Sequence, residues 1–240
     1  MFEIGSSSQR TFNSAARLAF RVIFRAAARV RMDHIQPVPQ RGAFILACNH
    51  ISHFDPPLIG SMFPRHVDWM AMEELFRNAR FAKWLERTGA FRVDRSGADR
   101  TALRTAARRL KAGRVVGIFP EGGIRAGETS ILERAPMRPG VGALARISQA
   151  PVIPAVIVGS DRLYLRANWR PLRRPPVWIL TGHPIAPPAP DDRDSPRNEF
   201  QTALANAFVE LKEHLLSSCG VTVADLPKTP QARKGEDPYA

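Results

Sequence analysis

Residues 43–58 read AFILACNHISHFDPPL. The opening six are apolar and bounded, the length of one buried strand. Asp55-Pro56 looks like an N-cap and first helical position, so the polar residues between them form a strand-to-helix loop. The chain repeats this grammar at Val115-Val116-Gly117-Ile118-Phe119, a buried-type strand that runs straight into Pro120-Glu121-Gly122-Gly123. Strands that alternate with helices imply an α/β sheet, largely parallel, with functional loops at the strand C-terminal ends.

Working outward, residues 12–32 read as a helix in which Arg17, Arg21, Arg25 and Arg29 recur at every fourth place. It is basic, aromatic-bearing and nearly free of acids, the profile of a helix lying in a membrane interface. A terminal helix packed on the domain, with a solvated arginine face, would show the same pattern. Pro37, Pro39 and Gly42 break the chain before the strand at 43–48. Further strands are expected at 66–71, 90–93, 151–158 and 176–181. Helices are expected at 72–88, at 99–112 closed by Gly113, at 139–149, and from the Ser195-Pro196 cap to about 218. The expected organisation is a leader and interface helix over 1–36, one α/β domain over 37–218, and a polar, proline-bearing tail over 219–240 without fixed structure.

The 240 residues suffice for a sizeable core. Thirty-five Lys and Arg against 22 Asp and Glu leave a net charge of +13, which favours anionic partners such as membranes, phosphates or nucleic acid. No nucleic-acid reader motif is present, so nucleic acid is not expected as a partner. Cys48 and Cys219 are the two cysteines, which excludes a disulfide framework and fits a reducing compartment. Residues 1–11 lack the basic start and apolar stretch of a signal peptide. No uninterrupted apolar run reaches the ~18 residues of a membrane span.

Within the first loop, His50 is suited to take a proton near neutral pH, and a carboxylate on its other ring nitrogen would fix its tautomer. Asp55, five residues on, can converge with it across a tight loop. Asp55 could instead cap the helix, and His50, His53 and Asp55 could contribute to a metal site as in a hydrolase. The remaining histidines (His34, His66, His183, His214) show no ligand spacing that would complete one. Cys48, at the strand end, reads as a small buried apolar residue. In the second loop two glycines permit close backbone approach to a ligand, flanked by Glu121 and Arg125. A third segment, Gly89-Ala90-Phe91-Arg92-Val93-Asp94-Arg95, sets Arg95 after a short strand, and arginine matches phosphate through its planar fork of donors.

Taken together, NHxSxxD at 49–55, GxFxVDR at 89–95, FPEGG at 119–123 and the apolar VIPAV at 152–156 resemble the glycerolipid acyltransferase family, over roughly residues 40–160. Its best-known members are the 1-acylglycerol-3-phosphate acyltransferases. The resemblance implies that His50 is the base and Asp55 its orienting partner, that Arg95 holds the acceptor's phosphate, and that Glu121 and Gly122 take part in acceptor binding, with Arg125 beside them. Pro154 falls in the fourth block, whose role is structural or donor-related. The family pattern FPEGTR is here FPEGGIR: Gly123 replaces the threonine and the arginine moves one place to Arg125. The implied reaction needs no metal and no cofactor beyond the acyl donor, acyl-CoA or acyl carrier protein. The implied setting is the cytoplasmic face of a membrane bearing anionic lipids. Residues 161–174, with Tyr164, Leu165 and Trp169 among five arginines, read as a second membrane- or donor-facing patch or as a solvated basic loop.

Overall fold

A computed structural model describes residues 7–94, 99–169, 173–189 and 196–235. Seven strands form one sheet in the order β1-β7-β6-β2-β5-β3-β4. They are β1 (Arg29–His34), β2 (Phe44–Cys48), β3 (Val67–Met72), β4 (Phe91–Val93), β5 (Val115–Ile118), β6 (Val152–Val158) and β7 (Pro176–Thr181). All neighbours pair parallel except β6 with β7, which run antiparallel. The expected single α/β domain with a mostly parallel mixed sheet is therefore the fold observed.

Side-chain alternation along the strands divides the core into two faces. Phe44, Leu46 and Cys48 of β2 face one way, onto α1 (Ser7–Ala27) and α2 (Asp55–Met62), where Phe24, Leu58, Ile59 and Phe63 are buried. Ile45 and Ala47 face the other way, onto α4 (Arg100–Lys111), α5 (Gly140–Ser148) and α6 (Pro196–Ser218), against Ala106, Leu110, Leu144 and Phe208. The chain leaves β2 toward β3 on one side and leaves β5 toward β6 on the other. The crevice at the C-terminal ends of β2 and β5 is thus the topological switch point, where open α/β sheets bind ligands.

Several boundaries differ from the sequence reading. The N-terminal helix stops at Ala27, and Arg29–His34 form strand β1, paired along its length with β7. The helix expected over 72–88 splits into a 3₁₀ turn at Glu73–Phe76 and α3 (Ala79–Arg87), because the Asn78 side chain accepts from the backbone N–H of Arg80 and Phe81 and starts a new helix. Residues 222–235, expected to lack fixed structure, instead include a 3₁₀ turn at Val223–Asp225 and α7 (Pro230–Gly235), docked by ion pairs described below.

The arginines of α1 also behave differently from a solvated stripe. Arg17 donates through Nε to the Gly60 carbonyl at 3.1 Å and through a terminal nitrogen to the Phe63 carbonyl, and Arg21 donates to the Ser61 carbonyl at 2.9 Å. These are carbonyls at the C-terminal end of α2, where a helix leaves acceptors without partners and the macrodipole favours a cation. With Arg17 and Arg21 turned inward, the outer face of α1 presents Leu18, Val22 and Ile23, which are 62%, 61% and 47% exposed. Among the described residues no helix is long and apolar enough to cross a membrane.

Replacing Arg17 by Gln should destabilise the fold by about 1–2 kcal/mol, the scale of a charge-assisted hydrogen bond at a helix end. Exposed Arg25→Gln should stay within about 0.5 kcal/mol of the parent. Urea melts of both variants measure this, and equal stabilities would contradict the inward role of Arg17.

Candidate active site

His50 and Asp55 meet at the end of β2. His50 Nδ1 lies 2.8 Å from Asp55 Oδ2, and the same oxygen accepts from the backbone N–H of Ile51 at 2.8 Å and of Ser52 at 2.9 Å. A carboxylate only accepts, so His50 Nδ1 carries the hydrogen and Nε2 is left with the lone pair. Asp55 does not cap α2: the N-cap position is Phe54, with no side-chain cap bond. Its carboxylate reaches back along the chain and closes the 50–55 loop into one hydrogen-bonded turn. Asp55 is fully buried, whereas the His50 side chain keeps 16% exposure, enough for a reacting group to approach.

The ring of His50 is held from behind. Phe119 stacks on it at 4.1 Å and 21°, and Trp69 stacks on Phe119 at 4.9 Å and 9°. Trp69 fits because its partner across the strands is Gly117, where an added Cβ would come within 2.4 Å of the indole.

The second loop holds the backbone of the same histidine. The N–H of His50 donates to Glu121 Oε2, and its carbonyl accepts from the Arg125 N–H at 2.8 Å. Glu121 Oε1 accepts from Ser130 Oγ at 2.8 Å and the Ile131 N–H at 2.9 Å. Both carboxylate oxygens of Glu121 are therefore engaged by its own chain, and burial pushes the group up to about 7 against the pull of these donors. Gly122 adopts φ +65°, and a Cβ there would lie 2.6 Å from Arg138 Nε. The exposed guanidinium of Arg125 is beside this turn. Arg95 lies outside the described residues.

His53 does not join His50 and Asp55. Its Nδ1 faces the Tyr164 hydroxyl at 2.5 Å, and its backbone N–H donates to the same hydroxyl at 3.0 Å. Burial is the chief cause lowering its pKa, followed by the nearby His50. Among the described residues no group of three or more His, Cys, Asp or Glu side chains is placed to hold a metal ion. Cys48 is fully buried at the end of β2, where burial pushes its thiol well above its usual range, as suits a small core residue.

Four contributors carry no assigned role in the sequence reading. Ser160 donates to Asp55 Oδ1. Phe119 backs His50. Arg138 covers Gly122. Asn49 ties β2 to β6 through Ile157, accepting at 2.7 Å and donating at 3.0 Å. Ser160 follows β6 at its C-terminal end, a position that the α/β rule marks as ligand-facing.

Such an arrangement can take a proton from a hydroxyl at Nε2 and return it to a leaving group. The family described as Acyltransferase matches residues 29–158. The chain is 31% identical over 142 residues to the 1-acyl-sn-glycerol-3-phosphate acyltransferase of Bacillus subtilis (strain 168), covering 59% of this chain and 68% of that protein. Its fold is similar to the crystal structure of the 1-acyl-sn-glycerophosphate acyltransferase PlsC from Thermotoga maritima, with TM-score 0.62 and 20% identity, covering 88% of this chain and 84% of that one.

Glu121 makes stability depend on pH. Its folded-state pKa of about 7 lies above the ordinary 4.5, so folding favours the protonated form. The contribution is full below the unfolded value and is lost as pH rises through about 7. Relative to Glu121→Gln, the parent should lose on the order of 3 kcal/mol between those limits, because each tenfold change in proton affinity is worth about 1.4 kcal/mol. Paired urea melts across that window test it, and a constant difference would show that Glu121 is not raised.

Proposed function

The chain belongs to the acyltransferase family, and from that premise we propose that it moves a fatty-acyl group from an acyl thioester to the free hydroxyl of 1-acylglycerol 3-phosphate, making phosphatidate for phospholipid synthesis. The observation that carries this reading is the 2.8 Å contact of His50 Nδ1 with Asp55, at a switch point shared with the FPEGG loop. The name of the Bacillus subtilis relative supports the acceptor.

His50 Nε2 removes the proton as the acceptor oxygen attacks the thioester carbonyl. The carbon–sulfur bond then breaks, and the departing thiolate takes the proton back from His50. No acyl group passes through the protein. General-base help contributes about 10²–10⁴-fold, so positioning of the acceptor and stabilisation of the oxyanion supply the rest. Arg95 and Arg125 are the proposed phosphate partners, with Gly122, packed under Arg138, and Glu121 shaping the turn beside them. The donor is acyl-CoA or acyl carrier protein. Another lyso-lipid or glycerol 3-phosphate is the alternative acceptor, given FPEGGIR in place of FPEGTR, and an acyl-transfer assay with a panel of acceptors and both donors decides among them.

The acceptor and product reside in membranes, and we place the protein at the cytoplasmic face of an anionic one, seated by α1. The surface offered is the apolar strip Leu18, Val22 and Ile23, with the exposed Arg25 on the same helix to meet anionic headgroups. Changing all three apolar residues to Ser should weaken binding to phosphatidylglycerol vesicles at least about tenfold, since each buried aliphatic side chain contributes on the order of 1.5–3 kcal/mol, while the melting temperature stays near the parent's. Undiminished co-sedimentation would contradict this seat.

For the dyad, His50→Ala and Asp55→Asn should each lower kcat by about 10²–10⁴. The double variant should be little worse than His50→Ala alone, because the two act as one unit. Steady-state rates with thermal melts measure this. Full activity in a stable Asp55→Asn protein would remove Asp55 from the mechanism.

A further inference from the structure

Asp55 has a second oxygen, and the dyad alone does not explain how it is held. Oδ1 accepts from the hydroxyl of Ser160, and both residues are fully buried. Ser160 opens a 3₁₀ segment, Ser160–Tyr164, entered through Gly159 at φ +90°. A Cβ at Gly159 would stand 2.4 Å from the Pro176 carbonyl oxygen, so the turn that aims Ser160 at Asp55 is built for glycine. The other end of the segment grips the same loop, since the Tyr164 hydroxyl accepts from the His53 N–H at 3.0 Å.

The C-terminal segment holds this bracket. Asp161 Oδ2 accepts from Arg233 Nε at 2.6 Å and from the Lys228 N–H at 3.0 Å, and Arg162 pairs with Asp225. Asp161 is 0% and Arg233 4% exposed. A buried ion pair is seldom more stabilising than apolar residues of like volume, and its best-attested use is to fix one register. Here the register fixed is that of the residue next to Ser160.

We propose that Ser160 is a positioning residue for the His50–Asp55 pair and that residues 222–235 hold it in place through the Asp161–Arg233 ion pair. The proposal rests on the acyl-transfer reading of that pair. Ser160 restrains rotation of the Asp55 carboxylate about its Cβ–Cγ bond, and so the direction in which His50 Nε2 points, without touching either substrate.

The test is steady-state acyl transfer by the full chain, with an acyl-CoA and 1-acylglycerol 3-phosphate, for Ser160→Ala, Ser160→Thr, Arg233→Gln, the Ser160→Ala/Arg233→Gln pair and His50→Ala. Ser160→Ala should lower kcat about tenfold, the scale of one hydrogen bond to a charged group, with both KM values within about twofold. Ser160→Thr, which keeps the hydroxyl, should recover most of the rate. Arg233→Gln should lower kcat with the same unchanged KM values, and the double variant should be no slower than Ser160→Ala alone. Parental kcat in a folded Ser160→Ala protein, beside an inactive His50→Ala, overturns the proposal, and so do losses that multiply in the double variant. If Ser160→Ala does not fold, Arg233→Gln decides by the same split: a lower kcat supports the proposal and a parental one overturns it. Failure of the functional reading looks different, because His50→Ala then retains transfer, and the proposal falls with it.

Discussion

Both backbone polar groups of His50 are committed to the loop that follows β5. Its N–H goes to Glu121 and its carbonyl to the Arg125 N–H. A buried peptide group left without a partner costs about 1–3 kcal/mol, so the end of β2 and the FPEGGIR turn cannot settle independently. The extra residue at 123–124, relative to the FPEGTR pattern, moves an arginine but still delivers a backbone N–H to His50. What the turn must conserve physically is that donor and the buried carboxylate, whatever the side chain of residue 125 does at the surface.

From that clamp the support spreads into the sheet. Glu121 is braced by Ser130 and Ile131, which anchors the loop leading to α5. His50 rests on Phe119, Phe119 on Trp69, and Trp69 fills the space left by Gly117. Close-packed interiors transmit small displacements rather than absorb them. A methyl group at Gly117 would therefore be felt at the histidine ring two aromatic residues away, although position 117 touches no reacting atom.

The sequence carried the sheet strands at 44–48, 115–118, 152–158 and 176–181 because each is a short, nearly continuous apolar run. It also offered His50 and Asp55 as a pair able to converge across a tight loop, but whether Asp55 turned back to the histidine or forward to cap α2 was decided only by the fold. The edge strand Arg29–His34 was hidden: its alternating exposure arises only when β7 lies beside it, and without that partner Arg29 continues the helical spacing of α1. Arg17 and Arg21 read as part of a membrane-facing or solvated basic face because nothing local reveals that the carbonyls of residues 60–63 stand opposite them. The same reason hid Ser160 and Arg233. Their partners, Asp55 and Asp161, lie 105 and 72 residues away along the chain, and a polar tail reads as unstructured until a buried acid appears for its cation.

The distribution of charge follows from the same contacts. Asp55, Glu121 and Asp161 lie inside, as does Asp68, which is paired to Arg109 at 3.1 Å and to Arg114. Each is met by N–H groups, hydroxyls or guanidinium donors, as burial of a carboxylate requires. Asp68 and Asp161 take Arg109 and Arg233 in with them, so these buried pairs leave the net charge of +13 on the rest of the chain. On α1 the trade runs the other way: Arg17 and Arg21 turn in toward helix-end carbonyls, and Leu18, Val22 and Ile23 turn out. The outer face of α1 thus presents an apolar strip on a chain of net charge +13, the two features on which the proposed seat at an anionic membrane rests. An apolar strip alone would also invite self-association, and a cationic surface alone would bind any polyanion. The helix that bears the strip packs on α2, the element that begins at Asp55, so the proposed lipid seat and the catalytic loop share one support.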